Sequence, residues 1–226
     1  MPSPAARPLA LLDLDGTLMN SAPGVVHSVR VAYEHVGVPV PDEAAMLSFI
    51  GPPIGHSFPA HGVPAALVPD AVAAYQEHFG RVGVWDTTVF DGIPAALTAL
   101  REAGVLLVVA TAKPIAFAEP ICAEVGLTPL LDAIVGAPLD ESESKGQIIA
   151  RALVVARELT GAPVDPARAV MLGDREHDVH GAAEHGIACL GASWGYGAPG
   201  ELVAAGVAQV LGGTDEVAPA VLARVA

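Results

Sequence analysis

Asp13-Leu14-Asp15-Gly16-Thr17 sets two carboxylates two residues apart, directly behind the apolar run Leu9–Leu12. Residues two apart on a strand point to the same side. Two carboxylates at the end of a buried strand lose hydration and repel, unless a cation or a shared proton relieves them. An aspartate so placed can act as a nucleophile, as an acid and base, or as a metal ligand. The bland alternative, an acidic turn closed by glycine, is the less favoured reading.

Three further stretches carry chemistry-bearing residues. Ala110-Thr111-Ala112-Lys113-Pro114 follows a wholly apolar run, and a hydroxyl with free backbone N–H groups at a helix start would make an anion seat. Lys145 opens an expected helix over 146–159, and Lys113 is expected to open another with its side chain pointing outward. Gly173-Asp174-Arg175-Glu176-His177-Asp178 places two aspartates four apart, so a helical path brings them to one face. Each stretch has an ordinary structural reading: a threonine N-cap, a surface lysine, an acidic helix start.

The elements that must position these residues decide between the readings. Apolar runs at 9–15, 105–110, 133–135, 169–172, 188–190 and 207–211 read as strands, with helices between them from residue 90 onward. That alternation implies an α/β fold with a Rossmann-like parallel sheet covered on both faces. Residues 18–89 read as all-helical: a stripe over 23–36 closed by Gly37, a helix capped by Asp42 through Ile50, and a helix over 65–79. Gly51 to Phe58 between them reads as a stiff loop, either a hinge or a face turned to a ligand. The expected organisation is a core of 1–17 and 90–226 with an inserted all-helical cap domain of 18–89. A parallel sheet gathers its strand ends on one edge, so Asp13, Asp15, Asp174 and Asp178 are expected close together. Like charges about 4 Å apart repel by roughly 4 kcal/mol at an effective dielectric of 20. A divalent cation relieves that, and an all-oxygen donor set favours Mg²⁺ over zinc.

The four stretches resemble the ordered motifs of the haloacid dehalogenase superfamily. Asp15 to Gly24, Phe49 to Pro53, Thr111 to Pro114 and Gly173 to Asp178 resemble its phosphoglycolate-phosphatase-like branch, over about residues 9–213. The resemblance implies a Mg²⁺-dependent phosphatase acting on a small phosphorylated metabolite through an aspartyl-phosphate. It makes Asp13 the nucleophile and a metal ligand, and Asp15 the acid and base, with its backbone carbonyl on the metal. Thr111 and Lys145 hold the transferring phosphoryl group, joined at the seat by Gly16 and Ala112. Asp174 and Asp178 complete the metal site, and His56 and Phe58 of the cap are candidates for facing the substrate. Leu139 to Lys145 is shorter than usual for this branch, and Glu143 stands where a neutral or basic residue is expected.

Composition limits the rest. More than half of the 226 residues are apolar, and the net charge is −14 without a basic block, which argues against nucleic acid or an anionic membrane as partner. Cys122 and Cys189 have no metal spacing and read as buried thiols suited to a cytoplasmic location. No signal peptide or membrane span is read. His177, His180 and His185 are scattered round a helix and are not read as a zinc site, and Trp194-Gly195-Tyr196-Gly197 reads as local packing. A phospho-receiver module would lack Asp15 and the cap. A phosphonate hydrolase needs a cap lysine, which 18–89 does not contain. A sugar-phosphate mutase, needing a cap cation for a second phosphate, is disfavoured.

Overall fold

The structure, a computed structural model, describes residues 7–226. The parts of the expected core and of the signal-peptide reading that fall on residues 1–6 lie outside the described residues.

Strand β1 (Leu9–Leu12) is buried at all four positions because it lies at the centre of the sheet. It pairs in parallel with β4 (Leu106–Pro114) on one side and β6 (Ala169–Gly173) on the other. Beyond these lie β5 (Ala133–Ala137) next to β4, then β7 (Ala188–Ala192) and β8 (Gln209–Leu211) next to β6. All six strands run parallel, so their carboxyl ends share one edge.

Alternation along the strands splits the core in two. Ala10, Leu12, Leu107 and Val109 face α5 (Ile93–Glu102), α6 (Ile115–Glu124) and α10 (Val217–Val225). Leu9, Leu11, Val108 and Ala110 face α7 (Lys145–Thr160) and α8 (Glu176–Ala183). Burying each of the larger aliphatic side chains contributes about 1.5–3 kcal/mol. α7 starts where Ser144 accepts from the Gln147 N–H and the Gln147 side chain returns the bond, a capping box that fixes Lys145 in the first turn. A short α9 (Glu201–Ala204) follows β7.

Between β1 and α5 the chain builds a helical layer of α1 (Ala22–Val36), α2 (Glu43–Leu47), α3 (Ile54–Ala60) and α4 (Val68–Arg81). The all-helical expectation for 18–89 needs correction, because β2 (Met19–Asn20) and β3 (Thr88–Val89) pair antiparallel where the chain leaves and returns. The helix capped by Asp42 ends at Leu47 rather than Ile50, and the expected 65–79 helix begins as a 3₁₀ turn before α4. The stiff-loop reading of Gly51 to Phe58 is also corrected: only Gly51 to Pro53 is loop, and α3 follows. α3 forms although Pro59 lies inside it and supplies no N–H to its ladder. Among the described residues no helix is long and apolar enough to cross a membrane.

Candidate active site

The edge formed by the strand ends gathers three carboxylates. Asp13 extends β1, its N–H donating to the Leu172 carbonyl at 2.9 Å. Asp174 follows β6 and Asp178 lies in the first turn of α8. Oxygens of Asp13, Asp174 and Asp178 lie within 4.8 Å of one another, and all three residues are buried. Lys145 bridges two of them, with Nζ 2.6 Å from Asp13 Oδ1 and 2.7 Å from Asp178 Oδ1. Burial pushes the Asp13 carboxyl up to about 6 against the pull of Lys145, and Asp178 and Asp15 add to the rise. Burial, then Asp178 and Asp13, raises Asp174 well above the usual carboxylate range. Burial works against the charge on Lys145, but Asp13 and Asp178 more than offset it and raise its pKa.

With all three carboxylates ionised, the cluster around the one ammonium carries two negative charges in excess, a repulsion that adds to burial in raising Asp13 and Asp174. A divalent cation matches that excess, and a hard, all-oxygen donor set fits Mg²⁺. Asp174 is held for such a role. Its Oδ2 accepts from the Tyr196 N–H at 2.7 Å and its Oδ1 from the Thr17 hydroxyl at 3.3 Å. Gly16 and Gly195 permit this approach: a Cβ on either would stand 2.3 Å from Asp174, and Gly16 also has φ +76°.

Asp15 departs from the expected four-carboxylate cluster. Its side chain turns away from the other three to Lys113, whose Nζ lies 3.0 Å from Asp15 Oδ2. Asp15 Oδ1 is buried with no hydrogen-bond partner. The outward orientation expected for Lys113 is therefore wrong. The residue is 8% exposed, and its ammonium sits 4.6 Å from the centroid of the Phe79 ring. Lys113 does not open a helix either. β4 runs on to Pro114 with an irregularity after Thr111, and α6 starts at Ile115. The seat at Thr111, Ala112 and Lys113 is thus a bulged strand end, where the Lys113 N–H donates to the Thr111 hydroxyl at 3.2 Å.

Of the two candidates from the helical layer, His56 is exposed and lines a cavity of about 400 Å³ together with Ala112, Lys145, His177 and His180. Phe58 does not face that edge. It is fully buried against Tyr33, Phe49 and Tyr75, because the helical layer needs an aromatic core of its own. Glu143 does not burden Lys145: Arg151 binds it through Nε at 3.0 Å and Nη2 at 2.6 Å.

Sequence reasoning named Lys113 but misplaced its side chain, and it missed the roles of three further residues. For Tyr196 the flanking glycines were the available signal; its hydroxyl also donates to Asn20 Oδ1. Arg175 joins the core to the helical layer, donating to the Ile50 carbonyl and pairing with Glu201 at 2.8 Å. Glu141 joins them on the other side, accepting from the Ile54 N–H at 2.6 Å.

A parallel α/β sheet with paired carboxylates and lysines at its carboxyl edge, under an inserted helical layer, defines the class. The family model for haloacid dehalogenase-like hydrolases matches residues 10–192, and the chain belongs to that family. It is 41% identical over 197 residues to tyrosine-protein kinase PtkA of Mycobacterium tuberculosis, covering 86% of this chain and 65% of that protein, so it spans about two thirds of that relative's length. It is 37% identical to a 5'-nucleotidase of Pseudomonas aeruginosa, over 86% of each chain. It is 33% identical to a plasmid phosphoglycolate phosphatase of Cupriavidus necator, over 94% of this chain and 91% of that one. A haloacid dehalogenase-like hydrolase structure from Streptococcus pneumoniae superimposes with a TM-score of 0.86 at 26% identity, covering 95% of this chain and 98% of the other.

Proposed function

We propose that this protein is a Mg²⁺-dependent phosphatase that hydrolyses small-molecule phosphate monoesters through an aspartyl-phosphate on Asp13. The observation that carries this reading is the division of labour between two buried aspartates two residues apart. Asp13 is held by Lys145, whereas Asp15 is held at one oxygen by Lys113 and keeps the other free.

Asp13 attacks phosphorus, the bond from phosphorus to the leaving oxygen breaks, and Asp15 gives that oxygen a proton. Asp15 then takes a proton from the water that attacks the acyl phosphate, which releases inorganic phosphate and restores Asp13. Lys145, the Thr111 hydroxyl and the backbone at Gly16 and Ala112 hold the phosphoryl oxygens in line. Asp13, Asp174 and Asp178, with the Asp15 carbonyl, would hold Mg²⁺, which supplies charge neutralisation at the nucleophile and the phosphoryl group. Residues 18–89 serve as the cap over a core whose described part is 7–17 and 90–226, and His56 is its candidate for meeting substrate. Free, buried Cys122 and Cys189 suit the cytoplasm.

The phosphatase and nucleotidase names of two relatives support hydrolysis. The kinase name of the mycobacterial relative supports a second reading, in which a tyrosine hydroxyl replaces water as acceptor. The test incubates the protein with phenyl phosphate and a tyrosine peptide, with and without Mg²⁺. Hydrolysis predicts free phosphate that chelator abolishes and Mg²⁺ restores; phosphate appearing on the peptide instead supports the second reading. Full release in metal-free buffer would contradict the metal assignment.

A further inference from the structure

If Asp15 protonates the departing oxygen, the leaving group must lie in the cleft that Asp15 lines. That cleft, about 30 Å³ as it stands, is walled by Phe49, Tyr75, Phe79 and Phe117. Tyr75 stacks on Phe79 with their planes 9° apart, and Phe117 meets Phe79 edge to face. The larger cavity beside His56 adjoins this cleft, sharing Gly51, Ala112 and Glu141 with it, but is not lined by Asp15.

Charge is distributed in this cleft in an informative way. Lys113 is its one cation among the described residues, and Asp15 already binds it. Glu141, from the short segment before α7, lies within the field of the same ammonium. With Asp15 carrying the proton it gives to the leaving oxygen, Glu141 and Lys113 balance, and the cleft has no net positive charge to offer a second anion. Arg175 stands near Gly51 but is committed to Glu201 and to the Ile50 carbonyl.

Glu141 is also held in place rather than released to solvent. Its φ of +52° makes it the one non-glycine residue with positive φ among those described, a conformation that side chains disfavour. Its carboxylate is tied to the start of α3 by the Ile54 N–H, although burial pushes its pKa up. A second anion on a substrate would find the only cation taken and this carboxylate opposite.

We propose that Glu141 is a specificity-determining residue that makes the site select phosphate monoesters with an uncharged leaving group bearing a flat apolar face, and reject those carrying a second anionic group. This rests on the phosphatase reading.

The test uses two matched pairs that differ by one carboxylate: phenyl phosphate against 4-carboxyphenyl phosphate, and ethyl phosphate against 2-phosphoglycolate. In the wild-type protein the added carboxylate is expected to lower kcat/KM at least about tenfold in both pairs. The carboxylate makes the phenol a better leaving group, so leaving-group chemistry would push the first pair the other way. In Glu141→Gln the discrimination is expected to shrink at least about threefold, because a like charge is removed. Equal or faster turnover of either carboxylated member by the wild type overturns the proposed substrate class. An unchanged ratio in folded Glu141→Gln overturns the role of Glu141. Should Glu141→Gln not fold, Glu141→Ala replaces it, and the wild-type ratios stand regardless. No hydrolysis of any of the four with Mg²⁺ present would remove the phosphatase reading and this proposal with it.

Discussion

Replacing Lys145 by Met removes the one cation between two buried carboxylates while keeping most of the side-chain volume. Lys145 contacts Asp13 at 2.6 Å and Asp178 at 2.7 Å, with all three side chains at most 7% exposed. Without it, Asp13, Asp174 and Asp178 face one another with no ammonium between them. Breaking a buried pair by removing one partner costs about 3–5 kcal/mol. Asp13 and Asp174 already have raised pKa values, so they take up protons and recover part of this. The expected loss is therefore near about 3 kcal/mol, or roughly 6–12 °C in Tm for a chain of this size. Catalysis should suffer more than the fold, since losing one buried partner of the transferring group costs about 10²–10³ in rate. Thermal denaturation and steady-state kinetics on phenyl phosphate, each with Mg²⁺ or chelator, measure both. Mg²⁺ should recover part of the Tm, because a divalent cation relieves the same repulsion, and should not restore the rate. Activity within tenfold of wild type in a folded variant would refute the role given to Lys145.

Lys113→Met should lower kcat at least about tenfold on an alkyl phosphate and only a few-fold on an activated aryl phosphate, because in the proposed mechanism Lys113 positions Asp15 as the proton donor. Equal losses on both would refute that reading. Phe58→Ala should cost about 3–5 kcal/mol by denaturant titration while leaving relative rates among substrates unchanged, since the ring is buried among aromatics. Burial pushes the Cys122 thiol up to about 12, so it stays protonated at pH 8. A thiol-reactive dye should label it only when the protein is unfolded.

The sequence carried most of this architecture because its signals were local. Apolar runs ending in Asp13, Thr111 and Asp174 marked strand ends, and parallel packing implied that those ends meet. The capping box at Ser144 and Gln147 was likewise present in the residue order, with Lys145 immediately inside it. What escaped was direction. Nothing in Thr111 to Pro114 says that β4 continues through a bulge and turns Lys113 inward to Asp15. Ile54 to Phe58 read as loop because a seven-residue helix leaves little room for periodicity to show. The roles of Glu141 and Arg175 in joining core and helical layer were invisible for a further reason: there they meet backbone atoms of Ile54 and Ile50, 87 and 125 positions away, and backbone groups carry no sequence signature.

The central claim is that phosphorus is transferred to Asp13 and that Asp15 is needed to remove it. Asp15→Asn keeps the nucleophile and the metal-binding carboxylates but cannot take the proton from the hydrolytic water. Given an activated aryl phosphate and Mg²⁺, this variant is expected to release one burst of phenol and to accumulate covalent phosphate, which mass spectrometry of an acid-quenched digest locates on Asp13. Adding Asp13→Asn should abolish the trapped species. Phosphate found on any other residue, or steady turnover by Asp15→Asn with none trapped, would contradict the account.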